Sequence, residues 1–174
     1  MNPITIRPAE ESDTPLILSL IKDLASYERL LDEVVATEAL LRESLFGKTR
    51  HAEVVLAYHD GSPAGYSLFF HNFSTFLGRS GIYIEDLYVK EAYRGKGLGK
   101  ALFRYLAELA VHRGCGRLEF AVLDWNEPAI RFYRHFGANR LDDWSLYRIT
   151  GSRLNRLAGE EQEDEKMGTL KPLT

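Results

Sequence analysis

Arg94, Gly95, Lys96, Gly97, Leu98, Gly99 and Lys100 place three glycines among three cationic side chains, just where apolar residues at helical spacing begin. Such a junction is built to hold an anion. The first N–H groups of a helix have no internal acceptor, the helix dipole adds partial positive charge, and glycine lets a phosphate approach the backbone without meeting a Cβ. A flexible loop of solvated cations is the plainer alternative. The acidic candidates lie elsewhere. Glu85 and Asp86 are neighbours in a stretch of strand formers, so regular geometry turns them to opposite faces and gives any one pocket a single carboxylate. Tyr27, Glu28, Asp32 and Glu33 set an aromatic ring and three carboxylates near the end of a helical stretch. That patch suits a docked polycation or an ordinary solvated helix end.

Glycine spacing separates the phosphate-binding patterns. A P-loop needs four residues between its first glycine and Gly-Lys-Ser/Thr, whereas three separate Gly95 from Gly99, and Ala101 follows Lys100 where a hydroxyl should stand. A dinucleotide fingerprint wants a third glycine where this chain has Lys100. Its acidic partner would be Glu119, which falls inside an expected strand rather than beyond its end.

The elements that must position these groups follow from periodicity. Ile4 and Ile6 alternate in a short strand, Ser12-Asp13 offers an N-cap, and Leu16, Leu18, Ile21 and Leu24 trace a helix. Thr37 precedes a second helix over 38–45, for whose end Gly47 offers free φ. Strands over 53–58 and 64–70 flank His59-Asp60-Gly61-Ser62, which reads as a hairpin turn. A strand over 82–89 leads through the glycine loop to a helix over 98–113, stopped by Gly114-Cys115-Gly116. Leu118, Phe120 and Val122 alternate as a strand. Asn126 starts a helix that tolerates Pro128 and ends at Gly137, and 144–149 is expected to be the last strand.

The 174 residues, 45% of them hydrophobic, suffice for one domain with a packed core. We expect that domain over 1–155 and a charged tail over 156–174, whose run from Glu160 to Lys166 reads as a solvated, partly disordered end. Twenty-five acidic residues against 22 Lys and Arg give a net charge of -3, which argues against nucleic acid as a partner. Met1 to Arg7 lack the pattern of a signal peptide, and no run approaches a membrane span. The single Cys115 forms no internal disulfide, so a cytoplasmic, reducing setting is expected. His51, His59, His71, His112 and His135 lack metal-ligand spacing, so no metal site is expected. No GxSxG elbow supports a serine nucleophile.

Four segments carry a family resemblance: Leu24-Ala25-Ser26-Tyr27-Glu28, Tyr83 to Val89, Tyr93 to Gly99, and Trp125-Asn126-Glu127-Pro128-Ala129-Ile130-Arg131-Phe132-Tyr133. The glycine loop resembles the acetyl-CoA loop of the GNAT superfamily of N-acetyltransferases. The other segments, the last above all, are similar to its diamine branch of spermidine/spermine and thialysine acetyltransferases. The resemblance implies a single-domain α/β (α+β) fold with a mixed, mostly antiparallel sheet flanked by helices. It implies acetyl-CoA as cosubstrate, a small cationic amine as acceptor, and a homodimer.

Acetyl transfer to an amine has two proton problems, because an ammonium must lose a proton before attack and the departing thiolate must gain one. By resemblance Tyr133 is the acid beside the sulfur, although Phe132, Tyr133 and Phe136 read equally as core aromatics. Glu85 is implied as the base, through a water, with Asp86 attracting a cationic group. Arg94 to Lys100 would take the diphosphate, and the strand backbone at Leu87, Tyr88 and Val89 would pair with the pantetheine amides like an added strand. A strand bulge is implied where that arm enters. Asn126 would bond the same arm or serve as a plain N-cap. Tyr27, Glu28, Glu33, Glu119, Asp142 and Asp143 are further implied for the amine pocket. Rival readings are a protein or peptide amine as acceptor, with a shallow groove, and a non-catalytic acyl-CoA-binding module.

Overall fold

Apolar residues on both faces of the central strands dictate a sheet covered on two sides, and the computed structural model, which describes residues 3–159, has that arrangement. The charge run from Glu160 to Lys166 lies outside the described residues. Two compact units divide the chain, one ending at Asp124 and the other beginning at Trp125.

In the first unit β1 (Ile4–Pro8), β2 (Glu53–His59), β3 (Ser62–Ser74), β4 (Arg79–Val89) and β5 (Leu118–Phe120) lie side by side in chain order. The first four are antiparallel, and β5 runs parallel to β4. The mixed, mostly antiparallel sheet is therefore the one expected. Asp60 (φ 48) and Gly61 (φ 77) form the two-residue turn between β2 and β3, with the paired positive φ that a type I′ hairpin requires.

One sheet face packs on α3 (Leu98–His112), whose Leu98, Leu102, Leu106 and Ala110 meet Val55, Phe69, Ile82 and Ile84. The other face packs on α1 (Thr14–Tyr27) and α2 (Glu38–Phe46), where Ile17, Leu20 and Leu45 meet Leu56, Tyr66 and Tyr88. Continuous runs such as Val54-Val55-Leu56-Ala57 are buried throughout, because each successive side chain enters a different core.

Three local expectations change. Asp13 stands at the N-terminal cap of α1, but its carboxylate instead takes both guanidinium nitrogens of Arg7 at 2.7 and 2.8 Å and the Glu10 N–H at 2.8 Å. Gly47 follows α2 with an ordinary φ of -67°. Its reason for being glycine is crowding, since a Cβ there would collide with the Glu43 carbonyl oxygen. Val122 lies beyond β5.

The Arg7 pairing holds Asp13 below the usual carboxylate range. A depressed folded-state pKa contributes stability above the unfolded value near 3.9, and that contribution is lost as pH falls through the folded value. Asp13→Asn is expected to lower the unfolding free energy by about 1–2 kcal/mol at neutral pH, after discounting for the partly exposed Arg7. Urea melts at descending pH check this, and indistinguishable midpoints at pH 7 would contradict it.

The second unit contains α4 (Glu127–His135) and α5 (Ser152–Leu157). Asn126 caps α4 by accepting the Ala129 N–H at 3.3 Å, and Gly137 (φ 84) ends it with its N–H on the Arg134 carbonyl. The strand expected over 144–149 does not form. Trp144 and Leu146 have strand alternation but no ladder partner among the described residues, and with Tyr147 they stand 75%, 80% and 90% exposed.

Candidate functional site

A bulge in β4 organises the acidic residues. Leu68 pairs with Asp86 and Phe69 with Ile84, which leaves Glu85 as the extra residue. Upstream, Ile82 and Ile84 face α3; downstream, Leu87 and Val89 do. Alternation therefore breaks at Glu85. Counting from Ile84 puts Glu85 on the α1 side, and counting back from Tyr88 puts Asp86 there too. The regular-strand expectation that the pair turns to opposite faces fails for this reason.

Asp86 is held at both ends by β3. The Tyr66 hydroxyl donates to its carboxylate at 2.8 Å, and the Ser67 hydroxyl donates to its carbonyl oxygen at 2.6 Å. Both donors are fully buried. Burial pushes the Asp86 carboxyl above its ordinary value, the Tyr66 hydrogen bond opposes that, and the Glu85 charge adds to the rise. Glu28, at the end of α1, is raised by burial and then by the Asp86 charge. Carboxylates from two distant stretches, Glu85 and Asp86 of β4 and Glu28 of α1, thus share one electrostatic environment, which favours a bound cation.

Tyr27 carries a cation on its ring. Its ring lies under the Arg94 guanidinium at 4.4 Å, while Arg94 also reaches the Tyr88 ring at 5.9 Å and donates to the Val89 carbonyl at 3.1 Å. Stacking of this kind fixes the aim of an arginine at the mouth of the glycine loop. Glu33 is exposed in a short 3₁₀ turn. Glu119 is bonded by the Asn72 amide and paired with Arg117 at 2.8 Å. Asn126, Tyr133 and Asp143 belong to the second unit. Tyr133 is the buried residue of α4, edge-on to Phe132 at 5.1 Å, and Asp143 is exposed.

The glycine loop fits an anion. Gly95 (φ 74) and Gly97 (φ 89) both adopt left-handed backbone; a Cβ on the first would meet nothing within 4 Å, and on the second only Ile4 Cδ1 at 3.6 Å. Gly97 is also the N-cap of α3, and Ala101 N–H makes the first helical bond, to the Gly97 carbonyl. The N–H groups of Leu98, Gly99 and Lys100 therefore have no intrahelical acceptor. Next to the loop, β5 pairs with β4 only over Ile82, Tyr83 and Ile84. Among the described residues the strand edge toward β5 carries no ladder from Glu85 to Val89, and an extended amide chain can add there.

Tyr66 and Ser67 escape sequence reasoning, since the run Ala64 to Phe70 reads as plain core strand. A serine inside an apolar run was the available signal, because a buried hydroxyl needs a partner. Among the described residues no cluster of His, Cys, Asp or Glu is arranged to hold a metal ion, and no helix is long and apolar enough to cross a membrane.

The profile of the acetyltransferase (GNAT) family matches residues 18–138. The chain is 39% identical to thialysine N-epsilon-acetyltransferase of Bos taurus, over 90% of this chain and 98% of that one. It is 34% identical to the L-ornithine N5-acetyltransferase NATA1 of Arabidopsis thaliana, over 87% and 86%. Its backbone superposes on a ribosomal-protein-alanine N-acetyltransferase from Brucella melitensis with a TM-score of 0.68 and 27% identity, covering 85% of this chain and 99% of that one.

Proposed function

Because the chain belongs to the GNAT family of acetyltransferases, we propose that it moves an acetyl group from acetyl-CoA to the primary amine of a small acceptor carrying a second charge, of the diamine, polyamine or thialysine and lysine-analogue class. The observation that carries the reading is the bulge. It brings Glu85 and Asp86 to the α1 side of the sheet with Glu28, at the point where the β4–β5 pairing ends and next to a glycine loop suited to a diphosphate.

In this reading the amides of residues 97–100, with Arg94, Lys96 and Lys100, hold the diphosphate. The backbone at Leu87, Tyr88 and Val89 receives the pantetheine arm. Asp86 and Glu28 attract the distal cationic group of the acceptor. An alkylammonium with a pKa near 10.4 is almost wholly protonated at neutral pH, so Glu85, through a water, takes the proton that frees the lone pair. The amine nitrogen then bonds to the acetyl carbon, the carbon–sulfur bond breaks, Tyr133 gives its proton to the sulfur, and the second proton shed by the new amide nitrogen restores the Tyr133 phenol through solvent. The reading also includes a homodimer in the cytoplasm, supported by the resemblance and by the single cysteine.

A thiol-release assay with acetyl-CoA against diamines, polyamines, thialysine, lysine and a histone-tail peptide tests the proposal. Small acceptors with a second positive charge should give kcat/KM at least about tenfold above the peptide. Fastest turnover on the peptide would assign the acceptor to the protein class instead.

A further inference from the structure

We propose that Tyr66 and Ser67 are positioning residues that fix the Asp86 carboxylate, and through it set the preference for acceptors bearing a second positive charge. The inference rests on the reading above and extends it to two residues that touch neither acceptor nor cosubstrate in that scheme.

The bulge creates the need. An extra residue at Glu85 interrupts the β3–β4 ladder beside Asp86, and the Asp86 carbonyl there accepts a side-chain hydrogen bond. Ser67 donates it from the α3 side of β3 at 2.6 Å. From the opposite side Tyr66 bonds the carboxylate at 2.8 Å, with its own ring fixed against Tyr88 at 6.4 Å in an edge-on contact. Successive β3 residues thus grip one β4 residue by its backbone and by its side chain. With Tyr66 and Ser67 both 0% exposed, neither can exchange this partner for water.

The grip matters because Asp86 is placed where its charge is costly. Facing it are Tyr66 from β3, Glu85 and Tyr88 on its own strand, and Glu28 from the end of α1, with Arg94 stacked over Tyr27 and Tyr88 on the same side. Burial and Glu85 favour the neutral acid; the Tyr66 hydroxyl favours the carboxylate. Removing that hydroxyl moves the Asp86 titration to higher pH, so the charge that selects a second cation is lost sooner as pH falls.

The test is the ratio of kcat/KM for 1,4-diaminobutane to that for n-butylamine across pH, in wild type and in Tyr66→Phe. Phenylalanine keeps the buried ring and should leave the melting temperature and the KM for acetyl-CoA near wild type. The ratio should fall about tenfold at neutral pH, and its acid limb should move to higher pH. Asp86→Asn should give a low ratio with no such limb. The Asp86 carboxyl titration followed by carbon NMR gives a readout free of turnover, and it should rise in Tyr66→Phe. An active enzyme whose ratio and Asp86 titration are both unmoved by Tyr66→Phe overturns the inference alone. An enzyme that acetylates none of the amines overturns the functional reading and the inference with it.

Discussion

Tyr133→Phe is expected to lower kcat by about one to three orders of magnitude while leaving the affinity for acetyl-CoA close to wild type. The substitution removes one oxygen and keeps the ring, so α4 retains its Phe132 and Phe136 contacts and its cap at Asn126. What is lost in the proposed reaction is the proton for the departing sulfur. A thiolate whose conjugate acid has a pKa near 8.5 can leave unaided, which is why the effect is bounded rather than absolute. A deficit that shrinks when a donor with a more acidic thiol is used would mark the hydroxyl as a proton source. Turnover equal to wild type would return Tyr133 to the role of a packed aromatic.

The second large effect is expected at the phosphate loop. Gly97→Val should weaken CoA binding roughly ten- to hundredfold with the sheet and α3 intact. Two costs combine there. A β-branched residue at φ 89 is strained by about 1–2 kcal/mol, and its side chain stands over the helix-start amides that a diphosphate would approach. The protein itself offers little obstruction, since the nearest atom to an added Cβ is Ile4 Cδ1 at 3.6 Å. The burial of Leu98, Leu102 and Leu106 keeps the helix packed on the sheet. Titration calorimetry beside a thermal melt separates the effects, and unaltered affinity in a folded variant would remove the cradle from the account.

Much of the frame that holds these residues was legible because it depends on local rules. Asp60-Gly61 can make a two-residue turn, and the Leu98, Leu102, Leu106 spacing can bury one helical stripe, without knowledge of distant partners. The length of the β3–β4 hairpin was not legible, since residues 71–74 and 79–81 are ordered by each other rather than by their own composition. The strand over 144–149 fails in the same way from the other direction: alternation gives Trp144 and Leu146 one face, but only a neighbouring backbone makes a strand.

The site divides similarly. Gly95 and Gly97 announced themselves, because positive φ is the conformation glycine alone adopts freely. The stacking contact of Tyr27 did not, because only the fold brings the Arg94 guanidinium over its ring. The bulge at Glu85 was expected from family resemblance alone. No residue type demands it, and it follows from a register shared with Leu68 and Phe69. The Tyr66 and Ser67 contacts to Asp86 depend on that register and were invisible for the same reason.

A crystal structure of the protein with CoA tests the account most directly. The account predicts the diphosphate on the N–H groups of residues 97–100, the pantetheine arm along β4 from Leu87 to Val89, and the sulfur within hydrogen-bonding reach of the Tyr133 hydroxyl. CoA bound away from that loop, or a Tyr133 hydroxyl turned from the sulfur, would contradict it.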